Sequence, residues 1–380
     1  MAEQGEAGPG RRPRIAIVVR RFGAQFGGLE AYAEHLAGAL QEACDFHVFC
    51  QEWGSDLPIA HTLVPRIRHL PSWLNLLQFT LACRKRVRGF DLVHSHENSW
   101  LGEVQTVHLM PARYSLFHQR RRSRLAIWTS PRLAAYLAME AMRYRPLPRR
   151  AVVPVSPLTL AQVEAAYPRH PPMTVIPPGV RMPERRTGRA EARATLGLPQ
   201  DRRYALLVAH DPARKGLDAV LDAMARLDGA VDLIVVGGDA GTQRDVGRAA
   251  VRAAQSDRVH VWPRQRDLAP FYAAADFCVF ATSGDTFGMV PLEAMAHGLP
   301  VVMSSGRYCG FAHYVTPGVD ALVLDDPADA GALAGAMGGL LAEPELRERL
   351  AGNGRKLAMA MGWDSVAARY LELYRRLLAG

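Results

Sequence analysis

The sequence predicts an α/β protein built from two doubly wound halves. Three observations carry this. Short β-branched runs alternate with amphipathic stretches along nearly the whole chain. The 380 residues suffice for two ordinary domains. A Pro-Pro-Gly turn at Pro177, Pro178 and Gly179 separates one alternating series from the next. The expected organisation is a tail over 1–13, a first domain over 14–180 and a second over 181–364. A last helix over 365–380 is expected to pack back on the first domain.

The first half opens with the strand Arg14 to Arg20, a glycine-bearing turn holding Gly27 and Gly28, and an amphipathic helix. Leu29, Tyr32, Ala33, Leu36 and Leu40 share its apolar stripe. This strand–turn–helix unit begins a doubly wound sheet, but it lacks GxGxxG, so a dinucleotide fingerprint is a poor match. Strands are expected at Phe46 to Phe49, Asp91 to His94, Val104 to His108 and Ala151 to Val155. Open α/β sheets bind ligands beyond the carboxyl ends of their strands, and His108 stands at such an end. His94 and His96 are weaker candidates.

The second half begins with a polar helical stretch from Arg185 to Leu198 and a strand from Tyr204 to Ala209. Arg214-Lys215-Gly216 then opens an amphipathic helix. Strands follow at Val231 to Val236, Arg258 to Trp262 and Ala275 to Phe280, with a later one at Ala321 to Leu324. The most informative stretch is Ser283 to Met303. A loop with Gly284, Asp285, Phe287 and Gly288 feeds a helix through Met289, Val290 and Glu293, ended by Gly298 and Pro300. The unpaired N–H groups and positive end of such a helix make a seat for phosphate. Asp285 and Glu293 are placed to hold sugar hydroxyls. For an isolated pair, a capping Asp and a solvated Glu would be the readier account.

Mean hydropathy of −0.06 and 49% apolar residues indicate a globular chain with ample core. No apolar run reaches the length of a membrane span, and Ile15 to Val19 is too short for a signal peptide, so a cytoplasmic protein is expected. Cys44, Cys50, Cys83, Cys278 and Cys309 have no metal-binding spacing and are expected to be buried thiols. Ten arginines between Arg113 and Arg150 face the single acid Glu140, which equals the chain's whole net charge of +9. Arg120, Arg121, Arg122, Arg124 and Trp128 mix positive charge with apolar surface there. That combination suits a peripheral site on an anionic membrane. A solvated helix face would also explain it. Nucleic acid needs the same charge, but no readout motif is present, and no nucleic-acid partner is expected.

Ser283 to Met303 resembles the signature of retaining GT-B glycosyltransferases of family 4, in which two acids are separated by seven residues. Asp285 and Glu293 match, although the family's usual first residue is Glu. Gly27-Gly28, His108 and Arg214-Lys215-Gly216 match further motifs, and the last, with Cys309 to Tyr314, most resembles bacterial lipopolysaccharide core glucosyltransferases. Leu109 departs from the Asp that follows the His in many relatives, and His210 replaces an Arg.

The resemblance implies two Rossmann-like domains facing across a cleft. The implied reaction is metal-independent transfer of a hexose, most readily glucose from UDP-glucose, to a lipid-linked glycan such as lipopolysaccharide core. No Asp-x-Asp metal clamp occurs in the sequence, and no cofactor is implied. Arg214 and Lys215 would meet the diphosphate with the Gly27-Gly28 backbone and the helix after Gly288. Glu293 would bind the ribose, Asp285 the sugar hydroxyls and His108 the sugar's far side. Arg264 to Leu268 would border the base. Retention is implied by front-face transfer, in which the departing phosphate takes the acceptor's proton. A transferase with a soluble acceptor, a nucleotide-sugar epimerase and a non-catalytic nucleotide-sugar-binding protein remain alternatives.

Overall fold

A computed structural model of the chain describes residues 11–119, 130–184 and 187–379. These fall into two compact units. One takes the residues up to Val155, Thr159–Pro177 and the stretch from Trp363; the other takes Ser156–Leu158 and Pro178–Gly362. Among the described residues no helix is long and apolar enough to cross a membrane.

The first unit is a six-stranded parallel sheet. Its strands are β1 (Arg14–Val18), β2 (Asp45–Cys50), β3 (Ala60–Leu63), β4 (Leu92–Ser95), β5 (Val104–Val107) and β6 (Ala151–Pro154), in the order β3-β2-β1-β4-β5-β6. Ile15, Ala16, Ile17 and Val18 are fully buried, as strands covered on both faces require. The helices α1 (Gly28–Leu40), α2 (Ser72–Arg86) and α3 (Pro131–Arg143) lie between strands, and α4 (Pro157–Ala166) follows β6. On α1 the stripe shifts slightly from expectation: Tyr32, Ala33, Leu36, Ala37 and Leu40 are buried, while Leu29 is half-buried. Glu30 takes a buried place instead, its charge met by Arg21 Nη2 at 2.6 Å.

The second unit repeats the plan after α5 (Arg189–Leu196), which is shorter than the helical stretch expected from Arg185. Its strands are β7 (Tyr204–Val208), β8 (Asp232–Val236), β9 (Val259–Trp262), β10 (Phe277–Phe280), β11 (Val301–Ser304) and β12 (Leu322–Leu324). The order β9-β8-β7-β10-β11-β12 is again wholly parallel. The helices are α6 (Leu217–Ala225), α7 (Ala240–Arg252), α8 (Ala269–Ala274), α9 (Met289–Ala296), α10 (Ala330–Ala342) and α11 (Pro344–Ala360). Leu207, Val220, Leu233, Val279, Leu333 and Met337 belong to one continuous core between sheet and helices.

The chain then returns to the first unit as α12 (Trp363–Ala379). Trp363, Val366, Ala367, Tyr370, Leu373 and Tyr374 are its buried residues, a helical stripe laid largely against α1. In each unit the strand order reverses between the first strand and the fourth. Ligands of open α/β sheets bind beyond the carboxyl ends at such a reversal. In the first unit these are the ends of β1 and β4, and in the second those of β7 and β10.

Candidate functional site

In the second unit the loop after β7 is pressed against the end of β10. Gly216 makes this possible. Its φ is +91°, and a Cβ there would lie 2.3 Å from the carbonyl oxygen of Ala281. The approach lets the Ser283 N–H donate to the Arg214 carbonyl at 3.0 Å. Lys215 Nζ is ion-paired with Asp285 Oδ2 and sits 4.5 Å from the centre of the Phe280 ring. The lysine is 7% exposed. Burial pulls its pKa below the ordinary lysine value, and the Asp285 carboxylate opposes that pull. Arg214 reaches the Gly284 carbonyl through Nη1 and stays on the surface beside Asp211.

Asp285 does not cap the following helix. Its Oδ1 accepts from the Phe287 N–H at 3.1 Å, and Gly288, with φ +94°, occupies the N-cap of α9 without a side-chain bond. A Cβ on Gly288 would come within 2.6 Å of Cys309 Sγ. The segment 308–311 fixes the loop from below: Asp285 N–H donates to Tyr308 O at 2.7 Å and Phe311 N–H to Phe287 O at 2.6 Å. Met289 and Val290 thus begin a helix whose first N–H groups have no intrahelical acceptor. Phe287 contributes no exposed ring, because it packs against Phe311 at 5.5 Å and Tyr314 at 6.2 Å. Glu293 is half-buried rather than solvated, and it accepts from the Tyr272 hydroxyl at 2.9 Å. Burial raises its pKa, partly opposed by that hydroxyl. Arg264 is exposed and donates its backbone N–H to Gly238 O at 3.2 Å, while Leu268 caps α8.

In the first unit the β1 end carries Arg20, whose N–H and Nε both bond Glu97 at the β4 end, at 2.8 and 3.0 Å. Gly28 is the first residue of α1, and a Cβ there would meet no protein atom within 4 Å. The fold itself therefore makes no steric demand for glycine at that position. A Cβ on Gly27 would crowd Glu30 Oε2 at 2.7 Å. His108 follows β5 directly. Its Nε2 lies 2.9 Å from His96 Nδ1, and the Tyr32 ring meets its own edge-on at 4.8 Å between centres. Burial, reinforced by His96 and Arg143, pushes the His108 pKa well below the ordinary range. Leu109 beside it is 68% exposed.

Both halves of the chain match known families: glycosyltransferase family 4 over residues 26–182 and glycosyl transferases group 1 over residues 188–357. A relative in Frankia alni, a D-inositol 3-phosphate glycosyltransferase, is 30% identical over 93% of this chain and 95% of its own. The chain belongs to the GT-B glycosyltransferases of group 1.

It is thus an enzyme that transfers a sugar from a nucleotide-sugar. A D-inositol 3-phosphate glycosyltransferase of Xylanimonas cellulosilytica is 35% identical over 53% of this chain, and the match spans half of that relative's length. Among solved structures, WaaG, a glycosyltransferase involved in lipopolysaccharide biosynthesis, superposes with a TM-score of 0.82 at 22% identity over 95% of this chain and 99% of its own. Sucrose-phosphate synthase from Thermosynechococcus elongatus gives 0.79 at 25% identity, over 97% and 100%. Anabaena HepE, solved with UDP-glucose, gives 0.74 at 18%, over 96% and 99%. All share the two-domain Rossmann-like fold.

In this glycosyltransferase the second unit brings together Arg214, Lys215, Asp285, Gly288, Met289 and Val290. Glu293 is further along the same helix. The proposed membrane patch, Arg120 to Arg124 with Trp128, lies outside the described residues. Sequence reasoning missed Tyr272, which holds Glu293, and Cys309, which sets the glycine requirement at 288. It also undervalued His96, although that residue directly follows a strand ending at the first unit's reversal point. A cavity of about 320 Å³ lined by Arg189, Tyr272, Asp276, His297 and Leu299 lies at the other end of the sheet. Asp276 and Leu299 precede β10 and β11, whereas the candidate residues follow β10.

Proposed function

We propose that the enzyme is a retaining, metal-independent hexosyltransferase that uses a UDP-sugar, most readily UDP-glucose. One observation carries the donor half of this reading: a buried lysine, paired with a carboxylate, stands beside a glycine-capped helix start at the switch point of a doubly wound sheet. A diphosphate satisfies all three features. Its charge offsets Lys215 and Arg214, and its oxygens accept from the N–H groups of Met289 and Val290. These cations stabilise the charge that develops on the leaving diphosphate, the task a metal performs elsewhere. Glu293 bonds the ribose hydroxyls, Asp285 the sugar hydroxyls, and the residues from Arg264 to Leu268 border the base. HepE's complex with UDP-glucose supports the choice of donor.

The acceptor is a lipid-linked glycan at the inner face of the membrane. The arginine-rich stretch supports this, and so does a second basic surface among the described residues. Arg66, Arg68, Arg84, Lys85, Arg86 and Arg88 are exposed, together with Leu63, Ile67 and Leu81. Asn75 and Gln78 of α2 bond the carbonyls of Ile67, Leu70 and Pro65, so loop and helix form one surface. Such a surface suits anionic headgroups. A soluble phosphorylated polyol is the second reading, favoured by the relatives named D-inositol 3-phosphate glycosyltransferase.

The test is UDP release from a panel of UDP-sugars in EDTA, with extracted bacterial glycolipid, with D-inositol 3-phosphate, or with neither. Glycolipid-dependent release from one sugar, lost in Lys215→Ala, supports the reading. Release dependent on the inositol phosphate transfers the acceptor to the second reading. Absence of release and of donor binding overturns both.

A further inference from the structure

The cavity at the amino end of the second unit's sheet takes part in no step of the reading above. It encloses about 320 Å³, at the lower end of the volumes that hold small ligands. The donor residues follow β10 and Asp276 precedes it, so roughly 13 Å of strand separates the two places.

One wall of the cavity is charged. Asp276 is 3% exposed, and its Oδ1 lies 3.1 Å from both Arg189 Nη1 and Arg203 Nη1. Its Oδ2 accepts from Arg193 Nη2 at 2.9 Å and from the Tyr204 N–H at 2.8 Å. These four partners account for the lone-pair positions of a carboxylate. Arg193 is buried and gives its other nitrogens to the carbonyls of Ala274 and Gln200. Arg189 and Arg203 are half-exposed, and neither meets a second carboxylate among the described residues. Three guanidiniums thus share one carboxylate, and two positive charges are left unmatched.

The other wall is apolar and aromatic. Ala269, Ala273 and Leu299 line it with Tyr272, whose ring stacks on His297 at 4.7 Å between centres. The last carbonyls of α9 are already engaged: those of Glu293, Ala294 and Met295 accept from the N–H groups of His297, Leu299 and Gly298. They therefore present little negative charge to the cavity.

We propose that this cavity binds a small phosphate monoester, with its phosphate on Arg189 and its organic part against Tyr272 and Leu299. Such an ester carries about 1.5 to 2 negative charges at pH 7, which matches the unmatched charge of the wall. A carboxylate would supply half of it. The occupant also braces Tyr272, whose hydroxyl holds Glu293 at 2.9 Å. Occupation should thereby tighten UDP binding. That link rests on the proposed function; the site does not.

The experiment is calorimetry of the full-length protein at low salt with phenyl phosphate, inorganic phosphate and phenol. Phenyl phosphate should bind more tightly than either fragment. Arg189→Gln should weaken it about tenfold, through one lost hydrogen bond to a charged group, while Asp276 keeps its other three partners. Ala273→Leu changes no charge and fills the cavity from a half-buried helix position, so it should weaken binding as much. Lys215→Ala should leave phenyl phosphate binding unchanged. UDP and phenyl phosphate should each strengthen the other by one common factor, about fivefold or more. Tyr272→Phe should remove that factor and keep the binding of phenyl phosphate.

No binding of phenyl phosphate to the parent protein overturns the proposal. So does an affinity indifferent to both Arg189→Gln and Ala273→Leu. Loss of binding in Lys215→Ala would put the probe on the donor's phosphate site, and equal affinity for inorganic phosphate would make the cavity a charged patch; either result overturns the assignment. Mutually indifferent binding of the two ligands refutes the link through Tyr272. If phenyl phosphate binds as expected and UDP does not bind at all, the donor reading fails and this site stands.

Discussion

Replacing Asp285 with Asn removes the counter-ion of Lys215 while nearly keeping side-chain volume. Taking one partner from a buried ion pair costs about 3–5 kcal/mol, because the other charge stays desolvated. Here the Lys215 side chain is 8% exposed and that of Asp285 22%, and the Phe280 ring still faces the ammonium. The loss should therefore lie at the lower end, about 3 kcal/mol. Its pH dependence has a definite sign. Burial already lowers the Lys215 pKa and Asp285 opposes it, so the variant leaves burial unopposed. A lysine whose folded pKa lies below its unfolded value weakens the fold most below the folded pKa. That deficit shrinks as pH rises through the folded pKa toward the unfolded one, about 10.4. Urea unfolding of parent and variant between neutral pH and pH 10 measures it. Lys215→Met combined with Asp285→Leu should recover most of the stability and lose UDP-sugar binding. A deficit below about 1 kcal/mol at neutral pH, or one that does not narrow on alkalinisation, would refute the account of a charge held by its partner.

Three further outcomes are expected. Gly288→Ala must adopt a positive φ, worth about 1–2 kcal/mol, and must also crowd Cys309; adding Cys309→Ala should relieve the crowding alone, as read by a double-mutant cycle in denaturant. Because burial raises the Glu293 pKa, UDP affinity in calorimetry should begin to fall at a pH above that of an ordinary Glu as the solution is acidified. Glu293→Gln should bind more weakly throughout and lack that step. Changing Arg84, Lys85 and Arg86 to Gln should weaken binding to anionic vesicles by about 3 kcal/mol, on the order of a hundredfold, with no effect on neutral vesicles.

The strands were legible because parallel sheets bury both faces, and runs such as Ile15 to Val18 or Leu233 to Val236 have no polar residue to interrupt them. The β3 strand was not, since Ala60, His61 and Leu63 lie exposed at the sheet edge and carry no alternating pattern. The glycine loops at 27, 216 and 288 stood out by composition, but the reasons differ on inspection. Gly216 and Gly288 are required by the close approach of Ala281 and Cys309, whereas Gly28 is demanded by nothing in the fold. Asp285 and Glu293 were recognisable by spacing, yet their partners Lys215 and Tyr272 come from 70 and 21 residues away. The pairing of His96 with His108 was likewise hidden, because it depends on the alignment of β4 beside β5 rather than on local sequence.

The return of α12 to the first unit has a consequence for synthesis. Tyr370 completes a chain of hydroxyls that joins Tyr32 at 2.9 Å and Thr106 at 2.8 Å, and Tyr374 supplies the partner of His94. Those two tyrosines emerge from the ribosome only after the whole of Pro178–Gly362 has been made. At ordinary rates of elongation the nascent first unit waits roughly ten to forty seconds with its inner polar groups unmatched. During that interval the grooves over α1 and the ends of β4 and β5 are open to water and to chaperones, while the second unit can already fold. The half of the enzyme that is translated first is the half that is finished last.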